Sequence, residues 1–189
     1  AQDQPAAHLA AVLVAGQATP RRGGTGQLLV VRYRRDGRLD RGFARRGVFR
    51  TALPKRAGPF VGIAVRRQPS TRRVVIAGGY GQGSMLALRL SGTGRLDRSF
   101  GRGRSGLVRI AAGGIAQSIA FQRDGRILLG GSNANENGRP MVVARLTRNG
   151  TIDRSFGAPE DRQRIRTEYA PGSEPAEPAA SEPAVPHAA

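Results

Sequence analysis

The chain has 189 residues, 31 of them basic and 13 acidic, with two histidines, no cysteine and no tryptophan. Zero cysteine excludes disulfides, thiolate metal sites and a cysteine nucleophile, and no apolar run approaches the roughly 20 residues of a membrane-spanning helix. The net charge of +18 bears on solubility and on attraction to polyanions, not on fold.

Residues 1–11 read as a lead-in. They show no basic start followed by an apolar core, so no intact signal peptide is expected, and the start without methionine points to a processed chain or a piece of a longer one. The first strand is expected at Val12-Leu-Val-Ala-Gly16, a short β-branched run stopped by glycine. Leu28–Tyr33 follows as a second strand, and Asp36-Gly37 as a hairpin turn of type I′, whose two central positions need positive φ. A third strand is expected at Gly47–Thr51 and a fourth at Val61–Val65. The pattern then recurs. Val74–Gly78, Met85–Leu90, Thr93-Gly94, Gly106–Ile110 and Ser118–Gln122 make a second set, and Asp124-Gly125 turns into Ile127–Gly131, Met141–Leu146 and Asn149-Gly150. Leu29, Leu86 and Val142, with Val31, Leu88 and Ala144, form the alternating apolar face of the second strands.

One segment occurs three times: Arg32-Tyr-Arg-Arg-Asp-Gly-Arg-Leu-Asp40-Arg-Gly-Phe43, Arg89-Leu-Ser-Gly-Thr-Gly-Arg-Leu-Asp97-Arg-Ser-Phe100 and Arg145-Leu-Thr-Arg-Asn-Gly-Thr-Ile-Asp153-Arg-Ser-Phe156. The spacing is 57 and then 56 residues. A fixed period of this size means stacked supersecondary units, and four short strands per unit is the content of a β-propeller blade. The expected fold is therefore all-β, with antiparallel four-stranded blades of β-propeller type, about two and a half repeats, in an open or incomplete ring. Residues 12–43 form a partial repeat, and 44–100 and 101–157 the two further ones. From Ala158 the composition turns proline-rich and acidic, so 158–189 is expected to be a disordered tail, with a short helical turn at Glu160–Tyr169.

The run of a glycine-ended strand, an Arg-Leu strand, Asn/Asp-Gly, Leu-Asp-x-Ser-Phe-Gly and an Asp-Gly-Arg-Ile stretch resembles the delta-60 repeat family of bacterial propeller-type proteins. Arg89–Gly101 and Ser118–Gly157 carry the resemblance best. The first copy is more degenerate, with Arg41-Gly42-Phe43-Ala44 in place of Arg-Ser-Phe-Gly. The resemblance implies propeller-like blades, often found in large exported or surface proteins, and carries no catalytic assignment.

The recurring residues Arg32, Asp40, Phe43, Arg89, Asp97, Phe100, Arg145, Asp153 and Phe156 are expected to be structural. Each aspartate can accept backbone N–H bonds and pin the next turn, and the arginine eight residues earlier lies across the hairpin from it. The phenylalanines are expected between blades. A hard-cation site needs several oxygen ligands, and the acids near these aspartates are too few. Gly78-Gly-Tyr-Gly-Gln-Gly83 lacks the third glycine and the helix of a dinucleotide loop and reads as a hairpin loop. The only histidines, His8 and His187, lie outside the repeats, which removes a Ser/His/Asp triad and most histidine metal sites. No cofactor is expected.

Thirty of the basic residues are arginine and one is Lys55. Residues 1–157 carry +21 and residues 158–189 carry −3. Arginine doublets crowd the first half, and Arg34, Arg35, Arg45 and Arg46 are the candidate polyanion contacts. Aromatic residues that would stack nucleotide bases are scarce beside them. The composite expectation is a non-enzymatic repeat scaffold or binding surface at the cell envelope or outside the cell, with a protein or glycan partner and with self-association through open blade edges. One alternative is a low-specificity module for nucleic acid or anionic glycan. A weaker one is a fragment of a propeller enzyme whose active residues lie in other blades.

Overall fold

The computed structural model describes residues 11–18, 26–52, 60–69, 71–80, 83–111, 114–133, 141–157 and 165–167. Within them the chain is β throughout, apart from a single 3-10 turn at Arg102–Arg104. The strands are β1 (Val12–Ala18), β2 (Gln27–Tyr33), β3 (Val48–Ala52), β4 (Phe60–Arg67), β5 (Val74–Tyr80), β6 (Ser84–Leu90), β7 (Leu107–Ile110), β8 (Ile115–Phe121), β9 (Ile127–Ser132), β10 (Met141–Leu146) and β11 (Ile165–Thr167). They form three antiparallel sheets in the orders β1-β2-β3, β4-β5-β6-β7 and β8-β9-β10-β11. This is the blade architecture expected from the repeat, and no sheet closes on itself.

Hydrogen bonding groups the strands differently from the sequence repeat. Counted from the glycine-ended strand, β4 ends one set of four strands yet pairs with β5, which opens the next, and β8 does the same with β9. The expected bounds 44–100 and 101–157 cut instead between β2 and β3 and between β6 and β7, which also pair. Each sheet is thus offset from its repeat by one strand. Ile165–Thr167, inside the stretch expected to be a tail with a helical turn, is a strand and pairs with β10. The rest of the expected tail, 158–164 and 168–189, lies outside the described residues, as does most of the 1–11 lead-in.

The turns at Asp36-Gly37, Thr93-Gly94, Asn149-Gly150 and Asp124-Gly125 are present, but they are not of type I′. Only the glycine of each pair has positive φ, from +77° to +83°. Its N–H bonds three residues back, as from Gly37 to the Arg34 carbonyl at 3.1 Å, and Arg34 in turn donates to the Arg38 carbonyl at 2.8 Å. This is a type I turn closed by a left-handed glycine, the form matched to a three-residue hairpin. It frees the preceding position for a side chain with ordinary backbone, which is why that position tolerates Asp, Thr and Asn alike.

The sheets pack face to face. Leu28, Val30 and Phe43 of the first meet Ile76 and Leu88 of the second, and Met85, Ala87 and Phe100 of the second meet Leu129 and Ala144 of the third. Successive strand residues point to opposite faces. The middle sheet is covered on both, so every residue of β6 is buried, whereas β2 and β10 alternate between buried and partly exposed positions. The inner strands continue the stack, with β4 against β1 on one side and β8 on the other. Arg66 Nη1 also donates to the Ile119 carbonyl across the second gap at 3.0 Å.

Candidate functional site

The triplicated segment builds one polar knot per sheet. Arg32, Arg89 and Arg145 lie near the ends of β2, β6 and β10. The hairpin turn brings the chain back antiparallel, so the main-chain N–H of Asp40, Asp97 and Asp153 donates to the carbonyl of its own arginine at 2.8, 2.8 and 2.9 Å. The side chains repeat the pairing, with arginine Nε on aspartate Oδ2 at 2.8, 2.9 and 2.9 Å. The other carboxylate oxygen caps the next turn. Oδ1 of Asp97 accepts from the Ser99 N–H at 3.0 Å and its hydroxyl at 2.7 Å, and Asp153 repeats both bonds with Ser155. In the first copy glycine replaces the serine, and only the Gly42 N–H is left to donate. The guanidinium plane covers the phenylalanine three residues after the aspartate, 4.6, 4.7 and 4.4 Å from the ring centroid, a cation–π arrangement.

The first two knots also reach out of their sheets. Arg32 Nη1 donates to the Gly92 carbonyl at 2.7 Å, and Arg89 Nη1 to the Arg148 carbonyl at 2.5 Å. Both acceptors sit in the hairpin turn of the following sheet. One residue further on in each turn, the Thr93 carbonyl accepts from Ala44 N–H at 2.7 Å and the Asn149 carbonyl from Gly101 N–H at 2.8 Å. Phe43 and Phe100 lie directly on Gly94 and Gly150, where a Cβ would come within 2.8 and 2.6 Å of the ring. The knot therefore joins sheets as well as turns.

A second arginine closes on the same carboxylate oxygen in two of the three knots, while in the first Arg34 Nε stays 3.9 Å from Asp40 Oδ1. Arg73 Nε lies 3.0 Å from Asp97 Oδ2 and Arg126 Nε 3.1 Å from Asp153 Oδ2. Both arginines immediately precede the first strand of their repeat; the equivalent residue of the first copy is Ala11. Sequence reasoning missed this pair, although their shared offset was readable. Burial opposes ionisation of Asp97, but the hydroxyl and amide of Ser99 and the guanidiniums of Arg89 and Arg73 outweigh it, and its carboxyl titrates below the usual carboxylate range. The Ser155 hydroxyl leads the same effect at Asp153, against desolvation and with the Ser155 amide and Arg145 in support. Burial pulls the Arg89 guanidinium below its ordinary value, against the attraction of Asp97. The side chain of Arg89 is fully buried, while those of Arg32 and Arg145 are 21% and 18% exposed.

The candidate polyanion contacts occupy one end of the first sheet. Arg34 and Arg35 are exposed on its hairpin turn, and Arg45 and Arg46, also exposed, line an open recess with Val48 and Arg50. Gly78 and Gly79 lie in β5, residues 81–82 fall outside the described set, and Ser84–Leu90 is a strand, so no helix follows these glycines. Among the described residues there is no group of three or more His, Asp or Glu side chains placed to hold a metal ion, and no helix is long and apolar enough to cross a membrane.

Two parts of the chain, residues 12–43 and 122–156, match a family described as a domain of unknown function (DUF5122) beta-propeller. Both contain the Arg–Asp–Phe knot, and together with the three stacked sheets they identify the repeats as β-propeller type. No curated protein matches the chain.

Proposed function

We propose that the chain is a non-enzymatic repeat scaffold that presents a binding surface, with repeats of delta-60 type, working at the cell envelope or outside the cell. The observation that carries this reading is the commitment of the regular acids. Asp97 and Asp153 each have one carboxylate oxygen on two arginines and the other on a serine amide and hydroxyl. An acid so occupied, at equivalent positions in successive sheets, is poorly suited to general acid–base work, which needs pKa values tuned towards the operating pH. The delta-60 assignment rests on the Leu-Asp-x-Ser-Phe-Gly signature, and placement outside the cell on that resemblance.

A second reading, a low-specificity binder of nucleic acid or anionic glycan, is favoured by the cluster of exposed Arg34, Arg35, Arg45 and Arg46 at one end of the first sheet. The two readings share an experiment. The chain is passed over immobilised heparin, polyuronate and neutral glycan while release of reducing ends is followed. Retention without new reducing ends is the expected result, and retention confined to the anionic polymers selects the second reading. Chain cleavage of any polymer would overturn both in favour of a propeller enzyme.

A further inference from the structure

The two junctions between sheets follow one rule. The leading face of a sheet carries two strand side chains and a phenylalanine: Leu28, Val30 and Phe43 in the first sheet, Met85, Ala87 and Phe100 in the second. All six are fully buried against the trailing face of the next sheet. The trailing face supplies a buried hairpin glycine, Gly94 or Gly150, beneath the phenylalanine, and two carbonyls that accept from the arginine and from the residue after the phenylalanine.

The same faces exist, unburied, at the two ends of the stack. The leading face of the third sheet has Met141 at 50% exposure, with Val143 and Phe156 partly exposed. Arg145 Nε holds Asp153 as its counterparts do, but among the described residues no carbonyl meets its Nη1. The trailing face of the first sheet has Val12 and Val14 at 53% and 49%, with Leu29 and Val31 partly exposed. These positions correspond through strand pairing to Val74, Ile76, Leu86 and Leu88, which are at most 6% exposed. Its hairpin glycine, Gly37, is exposed at φ +77°, and a Cβ there would meet nothing within 4 Å. Among the described residues, three of the four exposed large hydrophobic ones thus lie on these two faces.

We propose that the leading face of the third sheet docks on the trailing face of the first sheet of a second copy of this chain. The junction repeats the internal ones: Phe156 on Gly37, Arg145 Nη1 to the Arg35 carbonyl, and the Gly157 N–H to the Asp36 carbonyl. Continuity with the two existing junctions carries the argument, because one chain presents both complementary halves with the arginine, phenylalanine and positive-φ glycine in register. The contact is heterologous, so two copies joined at both ends close a ring. Such a ring has six sheets, within the four to eight of closed propellers. This goes beyond the binding reading and holds whatever the sheets bind.

Sedimentation of the full chain is expected to give twice the 20.0 kDa chain mass. Gly37→Asn adds a side chain over the turn while asparagine still tolerates the left-handed backbone, and Phe156→Glu removes the opposing ring. Each variant alone is expected to sediment as a monomer with its β circular-dichroism spectrum intact. Mixed, they are expected to form a 1:1 heterodimer, because one junction then pairs intact Gly37 with intact Phe156. Met141→Glu serves on the same face should Phe156→Glu lose its β spectrum. A monomeric wild type at micromolar concentration, an oligomer that survives both substitutions, or variants that fail to pair on mixing would each overturn the proposal.

Discussion

The guanidinium of Arg89 donates to the main-chain carbonyl of Arg148, 59 residues away in the next sheet, while its Nε holds Asp97 in its own. One side chain thereby fixes a turn and a junction together. Removing it leaves a largely buried carboxylate with Arg73 as its one remaining cation and an inter-sheet carbonyl without a donor. Arg89→Ala is expected to cost about 3–5 kcal/mol, the range for breaking a buried ion pair. Arg32→Ala and Arg145→Ala, at more exposed guanidiniums, are expected to cost less. Arg89→Lys is expected to recover little, since an ammonium cannot reproduce the planar fork and the stack on Phe100. Urea denaturation of the four variants checks the order.

The lowered titration of Asp97 and Asp153 sets an acid dependence. A carboxyl that ionises more readily in the folded chain contributes stability that is complete above the unfolded carboxylate value, about 4. That contribution is lost as pH falls through the lower folded values. The melting temperature is expected to decline below about pH 4 through loss of these pairs. In Asp97→Asn with Asp153→Asn the baseline stability is lower and the acid decline shallower. Melting curves from neutral pH down to pH 2 distinguish this from a decline unchanged by the double substitution.

Two hairpin glycines separate backbone strain from inter-sheet packing. Gly125 and Gly150 have φ of +83° and +78°, but a Cβ at 125 would meet only Arg148 Cβ at 3.6 Å, while one at 150 would lie 2.6 Å from the Phe100 ring. Gly125→Ala is expected to cost about 1–2 kcal/mol from left-handed strain alone. Gly150→Ala is expected to cost more by the price of displacing Phe100. Equal losses in chemical denaturation would show that the ring yields freely.

Ala44 occupies the slot filled by Gly101 and Gly157 in the other copies and is held at φ +47°. Ala44→Gly is expected to stabilise the first junction by about 0.5–1 kcal/mol, the strain relieved less the added freedom of the unfolded chain. A lower melting temperature would mean that the Ala44 methyl group packs more usefully than its backbone suffers.

The exposed arginines at the end of the first sheet give a salt signature. With about four phosphates neutralised, DNA affinity is expected to drop on the order of a hundredfold between about 50 and about 200 mM salt. Charge reversal at Arg34 with Arg35, and at Arg45 with Arg46, is expected to weaken binding additively. Fluorescence anisotropy with two unrelated sequences checks both points, and a preference for one sequence would contradict them.

Much of this architecture was legible because strand, turn and knot are local. Val74–Gly78 and Met85–Leu90 announce themselves by composition, and the offset of eight from Arg89 to Asp97 is fixed by the hairpin between them. Sheet membership was legible only in part: Asp124-Gly125 announced the hairpin from β8 to β9, but the stretch between β4 and β5 carries no such pair. β4 resembles the end of one repeat, and nothing in Phe60–Arg67 states that its partner is β5 rather than β3. The acceptors of the inter-sheet arginine bonds were equally silent, because a backbone carbonyl is available at every residue and Gly92 and Arg148 share no side chain. Turn type failed for a related reason: Asp-Gly and Asn-Gly suit two turn geometries, and the chain after Asp36 selects the one with a single left-handed residue. β11 escaped notice because three residues in a polar stretch carry too little pattern.

The one-strand offset between repeat and sheet has a genetic corollary. A duplicated unit brings the strand that completes the sheet of its successor and borrows one from its predecessor. An array of this kind can gain or lose whole units by recombination without leaving an orphaned strand in its interior.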